Sequence, residues 1–160
     1  MTTNNIHNNY HCGVEVRDQG GVTATENTLN SNNFGVMIAR TSSGTLENNK
    51  ICGNFITGVE ISRCDYELEE EELPQITNNV ISNNLESGLK LWHRAAATLS
   101  ANTIEGNLEE VKITPRSRRH TRFGEAEEGE VRGMMGNNKV RELKDILNPP
   151  EEEPPTEEAE

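Results

Sequence analysis

A short pattern that recurs five times between residues 4 and 114 limits what this chain can fold into. Each copy reads Asn-x-[Ile/Leu]-x-x-Asn, then a small turn, then a Gly position followed by an aliphatic, a variable and a second aliphatic residue. The first Asn recurs at intervals of 23, 22, 30 and 23 residues. Such a period is typical of a solenoid, in which each repeat buries its apolar residues against its neighbours.

The spacing of the apolar residues favours strands over helices. They alternate with polar residues, and β-branched types are frequent among them. A leucine-rich repeat has a similar period, but it needs several Leu per repeat and commonly a helix. The sequence therefore predicts an all-β fold, a right-handed parallel β-helix solenoid of about five coils over residues 4–114. Its coils would stack at about 4.8 Å, the spacing of paired strands.

Stacking predicts which residues lie above one another, and two internal aliphatic ladders follow from the alignment of the copies. The first contains Ile6, Leu29, Ile51, Ile81 and Ile104, and the second Val14, Val36, Val59, Leu89 and Val111. A further aliphatic or small position lies three residues before the first Asn and holds Ala24, Leu46, Ile76 and Leu99. The chain has 20 Asn, and ten of them occupy the two Asn positions of the five copies. Because Asn tolerates left-handed turns and its amide both donates and accepts, we expect two Asn ladders at the corners.

A Gly position follows the second Asn of each copy. It holds Gly13, Gly35, Gly58 and Gly88 in the first four copies and Glu110 in the fifth. Gly at a fixed place in every coil predicts a tight bend at which a Cβ atom is unwelcome.

Two segments beside the repeat carry strong charge. The 30-residue interval predicts an acidic loop inserted at 65–73, which is either simply solvated or a docking element for a basic partner. Pro115 ends the fifth coil because Pro cannot donate to a ladder. Residues 115–137 are expected to form a linker that is basic at first and acidic later. This linker either only connects the coils to the C-terminal residues or holds an anionic partner. Alternatively, Thr114 or Thr121 is a target of a kinase.

The C-terminal residues are expected to differ from the coils. Residues 138–147 have apolar side chains on one helical face, which predicts a short helix covering the open end of the stack. Residues 148–160 are rich in Pro and Glu, which predicts a disordered acidic tail.

Composition narrows the partners and the compartment. The formal net charge of −12 argues against nucleic-acid binding through bulk charge. No apolar run approaches the roughly 20 residues that cross a bilayer, so no membrane association is expected. The three cysteines, Cys12, Cys52 and Cys64, with no CxxC and no glycosylation sequon, favour a reducing compartment and a cytoplasmic protein.

The first coil starts at Asn4 with nothing to cover it, which predicts that the chain is part of a longer protein.

The coils resemble the right-handed parallel β-helix repeats of pectate lyases, polygalacturonases and the carbohydrate-binding and sugar-hydrolase group. That resemblance implies enzymes with clustered acidic residues, or with Ca²⁺-binding Asp and a basic residue, on an outer face. This chain has only three Asp, none of which pairs with another on adjacent coils. Glu15 and Glu60 share an outward column but lie two coils apart, with Met37 between them. The sequence therefore predicts no catalytic residues.

No cofactor and no metal site are expected either. His7, His11 and Cys12 crowd the first coil, but no spacing matches a zinc motif. Cys12 and Cys52 are expected to pack as small apolar residues.

The repeat is also similar to that of intracellular eukaryotic interaction proteins. The layout, with coils close to a charged C-terminal end, resembles the C-terminal region of the Shc-binding, spindle-associated proteins. This resemblance implies a non-catalytic protein-interaction scaffold linked to the spindle and cytoskeleton, to cytokinesis or to germ-cell division. The alternatives are a substrate-recognition fragment of an F-box-type ubiquitin-ligase receptor and a carbohydrate-binding or polysaccharide-degrading β-helix.

One outer face of the predicted stack collects cationic and aromatic residues. The partner-binding candidates on it are Arg17, Arg40, Arg63, Trp92, His93 and Arg94. Arg40 and Arg63 would lie about 5 Å apart on adjacent coils, where like charges repel unless an anion lies between them. We expect the anion to be an acidic segment of a protein partner, or else the chain's own acidic loop or tail. Trp92 is either an exposed platform for sugar or peptide, or a residue covering a coil edge.

Overall fold

The computed structural model describes residues 1–39, 42–62, 73–92, 95 and 97–114, together with the backbone of 139–141. Within these residues all helix or strand structure is strand, in fifteen segments named β1 to β15 in chain order. The strands form three sheets in which every pairing is parallel.

Each sheet collects strands from successive coils. The first sheet contains β1 (Asn5–His7), β4 (Thr28–Asn30), β7 (Lys50–Cys52), β10 (Val80–Ser82), β13 (Thr103–Glu105) and β15 (Lys139–Arg141). The second contains β2 (Cys12–Val16), β5 (Phe34–Ala39), β8 (Thr57–Ser62), β11 (Ser87–Leu91) and β14 (Glu109–Ile113). The third contains β3 (Gly21–Thr25), β6 (Ser43–Glu47), β9 (Gln75–Thr77) and β12 (Thr98–Ser100). Among the described residues, four coils have three strands and the fifth has two, which confirms the predicted solenoid of parallel strands.

The registers confirm both predicted aliphatic ladders and show a third. Ile81 of β10 lies beside Ile51 of β7 and Ile104 of β13, and the same step relates the other members. The Val ladder of the second sheet and the Ala24 to Leu99 ladder of the third are in register as well. Members in the middle of the stack are fully buried, whereas Ile6, Val14 and Val111 near its ends are only partly buried. The core is therefore a column of apolar layers, each closed by the coils on either side.

Two ladders of Asn side chains run along the corners, as predicted. The first joins Asn4, Asn27, Asn49, Asn79 and Asn102, and the second joins Asn9, Asn32, Asn54, Asn84 and Asn107. At each step the backbone N–H and the Nδ2 of one Asn both donate to the Oδ1 of the Asn in the next coil. For Asn84 these two bonds to Asn107 are each 2.9 Å long.

The same amide also satisfies a backbone group of the preceding coil. In the middle coils Nδ2 donates to a carbonyl oxygen there, for example from Asn79 to Leu46 at 2.8 Å and from Asn49 to Ala24 at 2.8 Å. Each interior Asn therefore binds the coils on both sides. Because Asn49, Asn54, Asn79 and Asn84 are at most 2% exposed, these bonds form away from water, where an unpaired partner is costly.

The left-handed turns are one residue earlier than the ladder Asn. All ten residues that directly precede a ladder Asn have positive φ, between 53° and 73°. They are Thr3, Asn8, Glu26, Ser31, Asn48, Gly53, Asn78, Asn83, Ala101 and Gly106. The expectation that one Asn serves both the turn and the ladder was therefore wrong, because the two roles belong to adjacent residues.

The Gly positions are explained by the closeness of the next coil. A Cβ atom on Gly35 would lie 2.5 Å from the carbonyl oxygen of Gly58 and 3.0 Å from Nδ2 of Asn54. Gly88 is crowded in the same way by Asn107 and by the carbonyl oxygen of Glu110. The predicted lack of room for a Cβ is confirmed, but the predicted tight bend is wrong, because Gly35 lies within β5 and Gly88 within β11.

Glu110 occupies the Gly position of the fifth coil and ends the second Asn ladder. Its Oε1 and Oε2 accept from the backbone N–H and the Nδ2 of Asn107, at 3.3 and 2.5 Å. These are the two donors that a further Asn would otherwise bind. The residue is 4% exposed, and this burial raises the pKa of Glu110 although the Asn107 bonds oppose the shift.

The C-terminal prediction needs a correction. The described part of 138–147 is strand β15, which pairs with β13 so that Ile104 and Val140 are in register. A helix cannot pair with the open edge of β13, whereas a strand satisfies its free N–H and C=O groups. The sequence Asn-Lys-Val at 138–140 also repeats the start of a coil, with Val in place of Ile or Leu. Apart from Leu73, the predicted loop 65–73 lies outside the described residues, as do the linker 115–137, the rest of 138–147 and the tail 148–160.

We predict that Ala101→Gly stabilises the protein. Ala101 has φ 54°, a conformation that costs an L-residue about 1–2 kcal/mol and costs Gly nothing comparable. Some of the gain is lost because Gly makes the unfolded chain more flexible, so the free energy of unfolding should rise by about 0.5–1 kcal/mol. Urea unfolding measures it.

The matched control is Gly53→Ala at a left-handed turn before an Asn of the second ladder, where nothing lies within 4 Å of an added Cβ. It should lower the free energy of unfolding by about 1 kcal/mol for the same reason. Effects of equal sign in the two variants would contradict the assignment of these turns.

We predict that stability depends on pH through Glu110. Its folded pKa is raised above the ordinary value of 4.5, so its stabilising contribution is complete below that value and is lost as pH rises through the folded pKa. Glu110→Gln keeps an oxygen for Asn107 but cannot ionise. The stability of wild type relative to this variant should therefore fall between pH 4 and pH 7, as measured by urea unfolding at both. A difference that is the same at both pH values would contradict the prediction.

Candidate binding surface

Exposed apolar side chains line one corner of the stack. They occupy the position directly after the second ladder Asn, and they are Tyr10, Phe55, Leu85 and Leu108, exposed by 92, 56, 65 and 67%. We call these four residues the corner ridge. The second coil has Asn33 in the same position.

The coil geometry places the ridge residues one above another. The backbone N–H of Phe55 donates to the carbonyl of Asn32, and that of Leu85 donates to the carbonyl of Asn54, each one coil earlier. Phe55, Leu85 and Leu108 belong to three consecutive coils, so neighbouring backbones are about 4.8 Å apart. They form a continuous apolar strip, whereas single exposed apolar residues are common and need no explanation.

A network of ion pairs lies beside the ridge, on the outer face of the second sheet. Lys90 and Lys112 are neighbours in register, and Glu86 lies between their ammonium groups, 3.7 Å from Lys90 Nζ and 3.1 Å from Lys112 Nζ. Glu60 pairs with Lys90 at 3.6 Å, and Glu109 pairs with Lys112 at 3.0 Å. Hydrogen bonding from Lys112 lowers the pKa of Glu86, and the bonds to Glu109 and Glu86 raise the pKa of Lys112.

Trp92 lies at the far edge of this face. Its ring centroid is 4.9 Å from Nζ of Lys90, which is a cation–π distance, and the residue is 39% exposed. Lys90 is thus held between the Glu60 carboxylate and the Trp92 ring. Part of the indole remains open to solvent.

The first coil carries a different cluster at the other end of the same face. The Sγ of Cys12 lies 3.1 Å from Nδ1 of His11, and this Nδ1 lies 3.9 Å from Oε2 of Glu15. Arg17 forms an ion pair with the other oxygen of Glu15, Oε1. Burial is the main cause that raises the pKa of the Cys12 thiol to about 11.

The comparisons with known proteins agree with this architecture. The model of a family described as the right-handed beta helix region matches residues 1–119. The chain belongs to the right-handed β-helix family. Searches of curated proteins and of solved structures each give no match. Membership of the right-handed β-helix family confirms the predicted handedness, but a fold of this kind does not determine a function.

The structure places two of the six predicted partner-binding residues of this right-handed β-helix. Arg17 and Trp92 both lie four residues after the Gly position, which puts them in one column, three coils or about 14 Å apart. Arg17 is paired with Glu15 and Trp92 contacts Lys90. The other four candidates, Arg40, Arg63, His93 and Arg94, lie outside the described residues, so the predicted cationic column stays a prediction.

The two carboxylates considered for catalysis share a column of this right-handed β-helix, as expected. Glu15 is in register with Met37, and Met37 with Glu60. In the structure Glu15 is held by Arg17, and Glu60 is 6% exposed and held by Lys90. Carboxylates that are bound to cations in this way are poorly placed to donate a proton to a sugar or to accept one from it.

Sequence reasoning missed the corner ridge, although its signal is present in the repeat. The residue after the second Asn is apolar in four of the five copies, but the repeat pattern includes it only as part of a small turn. For the cluster at His11, Cys12 and Glu15, the sequence pointed to the neighbours His11 and Cys12 but not to Glu15, because residues four apart in an extended strand are separated by about 13 Å of backbone. Among the residues that the structure describes, none lies in a helix that could cross a bilayer.

Proposed function

We propose that this right-handed β-helix is a non-catalytic module that binds a protein partner along the corner ridge and the adjoining outer face of the second sheet. One observation carries the proposal. Phe55, Leu85 and Leu108 remain 56–67% exposed on consecutive coils, while Ile51, Ile81 and Ile104 in the ladder of the same three coils are at most 1% exposed. A stack that buries its interior this completely has no need of an apolar strip on its surface.

The ridge can supply enough free energy for a specific contact. Complete burial of one large apolar side chain contributes about 1.5–3 kcal/mol, and Phe55, Leu85 and Leu108 are already partly covered. Their combined contribution is therefore several kcal/mol before the cost of association. The neighbouring ion pairs of Glu86 and Lys112 would form a polar rim that orients the partner segment and contributes less to affinity.

The predicted cationic column indicates a second feature that the proposed partner should have. Arg40 and Arg63 follow the second sheet in adjacent coils of the sequence. An acidic stretch of the partner beside its apolar residues would complement these two arginines. The chain's own acidic segments, 65–72 and 151–160, would compete with the partner for these two arginines.

The setting that we propose is cytoplasmic, on the spindle or another cytoskeletal structure. Its support is the resemblance of the coils and the charged C-terminal end to the Shc-binding, spindle-associated proteins. The same interaction surface would serve a substrate-recognition fragment of an F-box-type ubiquitin-ligase receptor, which remains the alternative among intracellular scaffolds.

A carbohydrate is the second candidate ligand. Aromatic side chains bind sugar rings by stacking, and Tyr10, Phe55 and Trp92 are each at least 39% exposed on this side of the stack. The cation–π contact with Lys90 holds one face of Trp92, which leaves less of the indole for a sugar. This observation favours the protein partner over the carbohydrate.

We predict that a Leu85→Ser/Leu108→Ser variant loses the partner. A photo-crosslinking residue placed at Phe55 should capture a protein from dividing-cell extract, and the double variant should reduce that capture at least tenfold. The matched control is Val80→Ser, which changes a 41% exposed apolar side chain on the first sheet. Both leave the interior ladders intact, so circular dichroism should be unchanged.

The outcomes distinguish the parts of the proposal. Equal capture by the double variant and the control would exclude the ridge as the binding site. If the Arg40→Glu/Arg63→Glu variant still captures the partner, the proposed contact between these arginines and an acidic stretch is excluded. Binding at the corner ridge would then stand without it. Sugar released from pectin in a reducing-sugar assay would overturn the non-catalytic proposal.

A further inference from the structure

We propose that His11, Cys12 and Glu15 form a binding site for a zinc-type divalent metal ion on the first coil. The ligand atoms would be Nδ1 of His11, Sγ of Cys12 and a carboxylate oxygen of Glu15. All three lie within 4.8 Å of one another. The proposal does not depend on the corner ridge or its partner.

The separations are close to those of a tetrahedral site. With metal bonds of about 2.0–2.3 Å, ligand atoms in a tetrahedron lie about 3.3–3.6 Å apart. The Nδ1 of His11 is 3.1 Å from Sγ of Cys12 and 3.9 Å from Oε2 of Glu15. Shifts of about 0.5 Å in these two pairs, and an approach of about 1 Å between Sγ of Cys12 and the Glu15 carboxylate, which lie within 4.8 Å, give zinc geometry.

The donor set selects the class of ion. A thiolate, an imidazole nitrogen and a carboxylate are the ligand types that zinc takes in proteins, whereas Mg²⁺ and Ca²⁺ prefer oxygen alone. Coordination releases the Cys12 proton, since only the thiolate is a ligand. Cys12 is therefore the residue that makes the site selective for a soft ion.

Arg17 leaves the required oxygen of Glu15 available. Its ion pair is to Oε1, while Oε2 is the oxygen that faces His11. A ligating carboxylate is commonly fixed by a second residue in this way, so Arg17 acts as a positioning residue. The His11 ring is also held, since it packs against Phe34 of the next coil with ring centroids 5.6 Å apart.

The fourth position of the tetrahedron is open. The side chains of His11 and Glu15 are 55 and 28% exposed, so solvent or a donor atom from another molecule can complete the coordination. Among the described residues the cluster occurs only in the first coil, and in the second coil Phe34 and Met37 lie in register with Cys12 and Glu15.

Co²⁺ titration of the full chain tests the site. The background is Cys52→Ser/Cys64→Ser, so that Cys12 is the single thiol. We expect a sulfur-to-cobalt charge-transfer band that saturates at one ion per chain and is displaced by Zn²⁺. Adding Cys12→Ser to this background should abolish the band, while Ca²⁺ and Mg²⁺ should not compete.

Two further variants separate a three-ligand site from a lone thiol. His11→Gln and Glu15→Gln should each weaken Co²⁺ binding at least tenfold. The matched control is His7→Gln, which removes a histidine of the same coil and should leave the affinity within twofold. A band that is unaffected by His11→Gln and Glu15→Gln, or no band at millimolar Co²⁺ in a variant with wild-type circular dichroism, would overturn the proposal. Partner capture at the ridge, measured without added metal, reports separately on the proposed function.

Discussion

Every coil of this solenoid depends on one repeated interaction, the acceptance of two hydrogen bonds by a single Asn oxygen. The strands have three to six residues each, too few to be stable alone. The Oδ1 of Asn84 accepts hydrogen bonds from the backbone N–H and the Nδ2 of Asn54, one coil earlier, at 3.1 and 2.9 Å. A shift of one residue along the chain would break both bonds and expose the aliphatic face, so the ladder and the apolar core specify the same register.

Because the ladders fix register inside the coils, the outward positions are free to differ. Gly is required at its position in the coils where the backbone of the next coil is close. In the fifth coil Glu110 occupies the same position, and its carboxylate accepts the hydrogen bond of Asn107 that a further ladder Asn would otherwise accept. The residue after the second Asn lies on the surface at a constant spacing, which is how a corner ridge arises without any cost to the core. The ion network and the first-coil metal ligands use other outward positions of the same frame.

The sequence predicted the interior far better than the surface, for a physical reason. Inward positions repeat in five copies, and stacking fixes each side chain's neighbours, so the repeat alone assigned Ile81 its contacts with Ile51 and Ile104. Outward side chains such as Glu86 or His11 have no such constraint, and their partners depend on rotamers and on neighbouring coils. The C-terminal helix was mispredicted at Lys139–Arg141 because a helical apolar spacing was preferred to a sixth copy of the Asn-x-aliphatic start.

The most direct test of the ladder is the free energy of unfolding of Asn84→Ala measured in urea beside Asn30→Ala. The first change leaves the backbone N–H of Asn54 and the carbonyl of Ile51 without this partner, both within the buried corner. At about 1–3 kcal/mol for each of these two groups, we predict a loss of about 2–6 kcal/mol. Asn30, which is outside the ladders, should cost no more than about 0.5 kcal/mol, as ordinary surface changes do. Equal, small losses in the two variants would contradict the account.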